Sequence, residues 1–180
     1  MGRITELKEE ILLPEGVTAT FEGDTITISG EKGSLTRTFS HPKIDLVQRD
    51  GNIEISCTKS PHQKEKALVG TFKAHLNNMI VGVTEGFTYT MKTVYSHFPI
   101  KTKVDGQLFI IENFLGERNP RKACIVEGVN VNAKGDDVTV SGIDKEKVGQ
   151  TVANIERATK VKKRDIRVFQ DGVYLISKRG

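Results

Sequence analysis

Apolar and polar residues alternate along much of the chain, and the alternation recurs in the same arrangement twice. VTATFEGDTITIS, from Val17, places apolar side chains at every second position on both sides of Gly23-Asp24, which predicts a β-hairpin with its turn there. A glycine-containing turn at Ser29–Gly33 leads to a third strand signal, Ser34–Phe39, which His41-Pro42 interrupts. KIDLVQRDGNIEIS, from Lys43, reads as a second hairpin with Asp50-Gly51 at its tip. The period then changes. Leu68, Phe72, Leu76, Met79 and Val83 recur at spacings of four, four, three and four, one face of an amphipathic helix. Ser60 reads as its N-cap, with Pro61 in the first turn and Gln63 completing a capping box. Ahead of these elements lies a short segment, Glu9–Leu13, closed by Pro14.

The second half repeats the plan. IKTKVDGQLFIIENFLG, from Ile100, aligns with VTATFEGDTITISGEKG at an offset of 83, which sets Gly106 on Gly23 and Gly116 on Gly33. VNVNAKGDDVTVS, from Val129, aligns with the second hairpin at an offset of 85, and the helix from Asp144 aligns at 79. Turn glycines and in-phase apolar positions that match together are the residue of a duplicated supersecondary unit, with drift confined to loops. The expected fold is α+β: two tandem domains, 1–83 and 84–180, each a small antiparallel sheet packed against one helix. The chain ends on Ile166 and Val168, then an Asp171-Gly172 turn, then Val173–Ile176, which predicts a last hairpin in the second domain.

Charge separates the two halves. Residues 1–84 carry ten Lys and Arg against eleven Asp and Glu, whereas residues 85–180 carry seventeen against twelve. The basic residues of the second half cluster at Lys101/Lys103, at Arg118/Arg121/Lys122, and from Arg157 to Arg167, where six cations face one acid, with Lys178 and Arg179 at the end. Such clusters neutralise phosphates and release counterions. The few aromatics offer no stacking platform of the single-strand type, which favours recognition of the backbone and shape of a structured nucleic acid, for RNA through phosphates and 2′-hydroxyls along the minor groove.

Chemistry beyond binding finds little support. His41, His62, His75 and His97 never fall at metal-ligand spacing, Cys57 and Cys124 are far apart and read as buried small hydrophobes, and no nucleophile elbow or phosphate-wrapping loop occurs. Asp136-Asp137 reads as a turn. No metal, cofactor or enzymatic activity is expected. No apolar run approaches the ~18 residues that span a bilayer, and MGRITELKEE has no signal-peptide core. The expected location is therefore cytoplasmic, away from membranes.

Several stretches carry a family resemblance: Gly70-Thr71 with Asn77–Phe87, Tyr95–Pro99, Glu112–Arg118, Val148–Ile155 and Asp165–Tyr174. In these the chain resembles the large-subunit ribosomal protein six family, in its archaeal and eukaryotic form. RVFQDGVY, from Arg167, stands where the bacterial form has a lysine- and glycine-rich tail. The resemblance implies two duplicated α+β domains, and binding of the second to large-subunit rRNA near the sarcin–ricin loop and the docking region of translational GTPases. It also implies neighbouring ribosomal proteins, with the first domain turned toward the stalk base. The residues expected to meet RNA are Ser96, His97, Phe98, Lys101, Lys103, Asn113, Leu115, Gly116, Glu117, Arg118, Arg121, Lys122, Lys162, Lys163, Arg164, Arg167, Lys178 and Arg179. The competing expectation is a protein–protein adaptor whose basic clusters are incidental.

Overall fold

The computed structural model describes residues 7–49, 51–57 and 62–180. Two compact units divide the chain, Met1–Glu85 and Gly86–Gly180. The tandem α+β architecture holds, with one refinement: each unit contains two sheets rather than one.

In the first unit, β1 (Leu7–Ile11) pairs antiparallel with β6 (Asn52–Cys57), which pairs with β5 (Asp45–Arg49). A second sheet joins β2 (Thr18–Glu22), β3 (Thr25–Gly30) and β4 (Gly33–Thr38) in that order. The β2–β3 turn uses Gly23 at φ +60 and the β5–β6 turn Gly51 at φ +82, backbone that favours glycine; Asp50 lies outside the described residues. Helix α1 (Gln63–Thr84) lays Val69, Phe72, Leu76, Met79, Ile80 and Val83 on Ile26, Ile28, Ile53 and Ile55, all buried. Leu68, placed on this face by its spacing, is only half-buried at the rim. The C-terminal end of α1 is tied down by the β3–β4 turn, where the Lys32 N–H donates to the Val83 carbonyl at 3.0 Å and the Lys32 ammonium to that of Glu85.

The N-terminus of α1 differs from the expectation. Its N-cap is His62, two residues later than the Ser60 predicted; Ser60 and Pro61 lie outside the described residues. Glu65, not Gln63, closes the turn by accepting the His62 N–H at 3.1 Å, and it also pairs with Lys43 Nζ at 2.8 Å. A carboxylate satisfies orphan amides better than a neutral amide does and suits the positive end of the helix dipole. The Lys43 hydrogen bond, first among the causes, holds the Glu65 carboxyl down at about 2, against 4.5 ordinarily. A depressed folded-state pKa stabilises the fold fully above the unfolded carboxyl's pKa, and that stabilisation is lost as pH falls through the folded value. Glu65→Gln is thus expected to lower the urea midpoint at pH 6, with the difference from wild type shrinking as pH falls from about 4.5 toward 2. A difference that does not change with pH would show that the pair contributes nothing.

In the second unit, β7 (Phe87–Val94) occupies the place of β1. This strand lies outside the elements predicted from the hairpin and helix patterns, although it alternates: Phe87, Tyr89, Met91 and Thr93 are buried and the residues between them less so. β8 (Lys101–Asp105), β9 (Leu108–Glu112) and β10 (Arg121–Cys124) form a sheet in the order β10-β9-β8. β11 (Val129–Lys134) and β12 (Asp137–Gly142) continue onto β7. Helix α2 (Lys145–Ala158), capped by Asp144, whose side chain accepts the Glu146 N–H at 2.9 Å, buries Val148, Val152 and Ile155 against both sheets.

The last hairpin does not form. Residues 166–168 make a turn, and β13 (Gly172–Arg179) pairs instead with β7, extending the sheet to β11-β12-β7-β13. Asp165 is the reason: its carboxylate accepts the Arg167 N–H at 2.9 Å and its carbonyl accepts the Phe169 N–H at 2.9 Å, which curls the chain where a strand would need to extend. Ile166 and Val168, read as strand residues, are left facing solvent.

Candidate nucleic-acid interface

Three loops converge at one end of the second unit. Residues 95–99 leave the end of β7, residues 113–120 join β9 to β10, and residues 159–171 link α2 to β13. Asn113 Nδ2 donates to the Pro99 carbonyl at 3.1 Å, joining the first two loops. The Ser96 N–H donates to Asp171 Oδ1 at 3.2 Å, joining the first to the third. Asp171, read from the sequence as a plain turn residue, is only 2% exposed and acts as a clamp between segments 75 residues apart.

The 113–120 loop is three residues longer than its counterpart in the first copy. In the first unit β3 turns directly into β4, and Gly30 faces Gly33. In the second, pairing stops at Ile111 opposite Arg121, and Cys124 faces Leu108 as Thr38 faces Thr25. The offset therefore steps from 83 to 86 within the loop, and Gly116 does not occupy the place of Gly33, contrary to the sequence alignment. The lengthened loop takes backbone that resists most side chains: Asn113 has φ 59 and Leu115 φ 51, with Gly116 at φ 75. The loop holds this shape because Phe114 and Leu115 are buried as its anchor. Gly116 lies under the exposed Phe98 ring, where an added Cβ would come within 3.1 Å.

Arg121 locks the second loop to the third. Its guanidinium grips Glu117 with two bonds, Nε to Oε2 at 2.8 Å and Nη2 to Oε1 at 2.6 Å. Nη1 reaches the carbonyls of Ala158 and Lys160 at 2.9 and 3.1 Å, closing the C-terminal end of α2. The same group lies 4.2 Å from the centroid of the buried Phe114 ring. This hydrogen bond from Arg121 holds the Glu117 carboxyl below the usual range, with the charges of Arg121 and Arg164 adding to it.

The remaining cations divide by position. Lys162 and Lys163 are exposed and make no ion pair among the described residues; Lys163 sits at φ 58, in the left-handed region. Arg164 lies over the Phe169 ring at 4.8 Å, and Arg167 pairs with Asp165 at 3.1 Å, which holds the Asp165 carboxyl low. Ser96, His97, Phe98 and Arg118 are exposed on the converging loops. Lys101, Lys103 and Lys122 stand on one face of the β10-β9-β8 sheet, as Lys103 and Lys122 both oppose Ile110; Lys103 is drawn to Glu112 at 2.5 Å. Lys178 and Arg179 are elsewhere. They pair with Tyr89 and Thr88, five or more residues from the Val94 end of β7, a separation of about 17 Å or more.

Comparison with known proteins agrees with this duplicated architecture. The family model described as Ribosomal protein L6 matches the chain twice, over residues 13–86 and 98–172. The protein named Large ribosomal subunit protein uL6 in Methanobrevibacter smithii is 51% identical over 172 residues, covering 96% of each chain. Its namesake in Methanosphaera stadtmanae is 51% identical over 180 residues, 99% of this chain and 97% of its own. That of Methanosarcina mazei is 46% identical over 175 residues, 97% and 99%.

Proposed function

The chain belongs to the ribosomal protein L6 family, a structural and non-enzymatic constituent of the large ribosomal subunit, and from that premise we propose that the Gly86–Gly180 unit holds it there by gripping large-subunit rRNA. The observation that carries the proposal is the convergence of the three loops. Segments from residues 95, 113 and 160 meet at one end, and the exposed cations Arg118, Lys162 and Lys163, which hold no ion pair among the described residues, stand on them. Arg121 and Asp171 position this surface, while the exposed Lys and Arg neutralise phosphate. The buried Leu115 supports the loop from within. Family resemblance supports a site near the sarcin–ricin loop and the region where translational GTPases dock, with the first unit toward the proteins of the stalk base.

Phosphate contact has a salt signature. Log Kd of the full chain for protein-free large-subunit rRNA is expected to rise linearly with log salt, with a slope of about 0.7–0.9 per phosphate neutralised. Four or more contacts would weaken binding roughly a thousandfold for each tenfold rise in salt. Binding that is unchanged across that range would overturn the phosphate account and favour a protein–protein adaptor. Crosslinking within assembled subunits then maps the nucleotides contacted.

A further inference from the structure

A cleft of about 450 Å³ opens between the end of α2, the 160–170 segment and β13. Val161, Ile166, Phe169 and Tyr174 supply its apolar walls, and Glu156, Arg157 and Lys160 are its charged lining residues. Its size lies within the ~300–1,000 Å³ typical of sites that enclose a small ligand. The walls are built rather than incidental. The Tyr174 ring sits over Gly172, where an added Cβ would come within 2.9 Å of it, and its hydroxyl donates to the Gln170 carbonyl at 3.0 Å. Arg164 covers the Phe169 ring. Yet Ile166 is 69% and Tyr174 46% exposed, so the chain itself leaves these apolar surfaces uncovered.

Contact with the phosphates of a continuous RNA helix makes no use of such a cleft. Cations alone would serve it, and exposed apolar side chains would only be desolvated without a partner. An unstacked nucleotide uses both: its flat base takes an apolar slot, while the phosphates on either side require cations within reach. Arg157 and Lys160 in the lining meet that requirement, and the exposed Lys162 and Lys163 follow two and three residues after Lys160 in the chain. An apolar protein side chain would fill the slot but would leave its two lining cations, set against the single carboxylate of Glu156, unanswered. We infer that the cleft receives one looped-out or bulged base of the rRNA, a contact that rests on the rRNA-binding reading and adds base recognition to it.

Ile166→Ser tests the inference with little risk to the fold, because the side chain is mostly in water. The probe is the full chain with protein-free large-subunit rRNA. The variant is expected to bind about tenfold more weakly, with the same salt slope as wild type, since the lost contact is to a base and not a phosphate. Base-specific methylation of the rRNA should reveal one nucleotide that wild type shields and the variant does not. Unchanged affinity with no such nucleotide overturns the inference. So does normal RNA binding combined with poor incorporation into large subunits, which would assign the cleft to a protein. Failure of the underlying reading is distinct, because wild-type binding would then itself lack salt dependence.

Discussion

Reversing three charges, Lys162→Glu, Lys163→Glu and Arg164→Glu, is expected to weaken rRNA binding by about a hundredfold or more at ~0.1 M salt and to lower the salt slope by about two to three. Counterion release sets the scale: removing three phosphate contacts that each count ~0.8 in the slope loses about 250-fold at ~0.1 M, and repulsion adds to this. The fold should persist. All three side chains are exposed, and Lys162 and Lys163 hold no ion pair among the described residues. Arg164 gives up its place over Phe169, a contact of about 0.5–1 kcal/mol at an exposed site. Circular dichroism and tyrosine fluorescence check the fold, and filter binding across a salt series reads the affinity. A loss under about threefold, with the slope intact, would show that this run does not touch phosphate.

Arg121→Ala is expected to destabilise the second unit by about 2–3 kcal/mol. The substitution removes the double grip on Glu117, frees the Ala158 and Lys160 carbonyls at the end of α2, and uncovers the Phe114 ring. Solvent access to Glu117 limits the loss, because a stranded carboxylate there can hydrate. Arg121→Lys is expected to recover little, since an ammonium cannot reproduce a planar fork that serves a carboxylate and two carbonyls together. The three tyrosines, Tyr89, Tyr95 and Tyr174, all lie in the second unit and the chain has no tryptophan. Tyrosine fluorescence during urea unfolding therefore follows this unit alone. A midpoint shift equivalent to less than about 0.5 kcal/mol would mean that Arg121 is not a brace and is free for RNA.

Periodicity and turn chemistry carried the fold a long way. Gly23 and Gly106 both take left-handed backbone at hairpin tips, so that glycine match was one of backbone need, whereas the match of Gly116 to Gly33 was not. What stayed hidden was pairing between distant segments. Nothing local in Gly172–Arg179 states that its partner is Phe87–Val94; alternation says strand and is silent on neighbour. The Asp165 turn shows the opposite limit, a local capping preference that overrode the alternation of Ile166 and Val168. For the interface, the cationic run could be read, because charge is a property of residue type. The roles of Arg121 and Asp171 could not. Their side chains look like a surface cation and a turn former until the structure shows that their partners lie 4 to 75 residues away.

The pairing of β7 with β13 carries a consequence for the order in which the protein comes into being. Synthesis runs from the N-terminus, so every strand and the helix of the first unit are available while the second is still being made. β7 emerges early, but the strand that completes its sheet begins only at Gly172, 78 residues after Val94. At about 5–20 residues per second, β7 waits roughly 4 to 16 s for that neighbour. The Asp171 clamp, one residue before β13, arrives at the same late moment. The end proposed to face RNA is thus among the last parts to form, and a half-made chain, threaded through a ribosome rich in competing RNA, lacks the finished surface proposed to seize it.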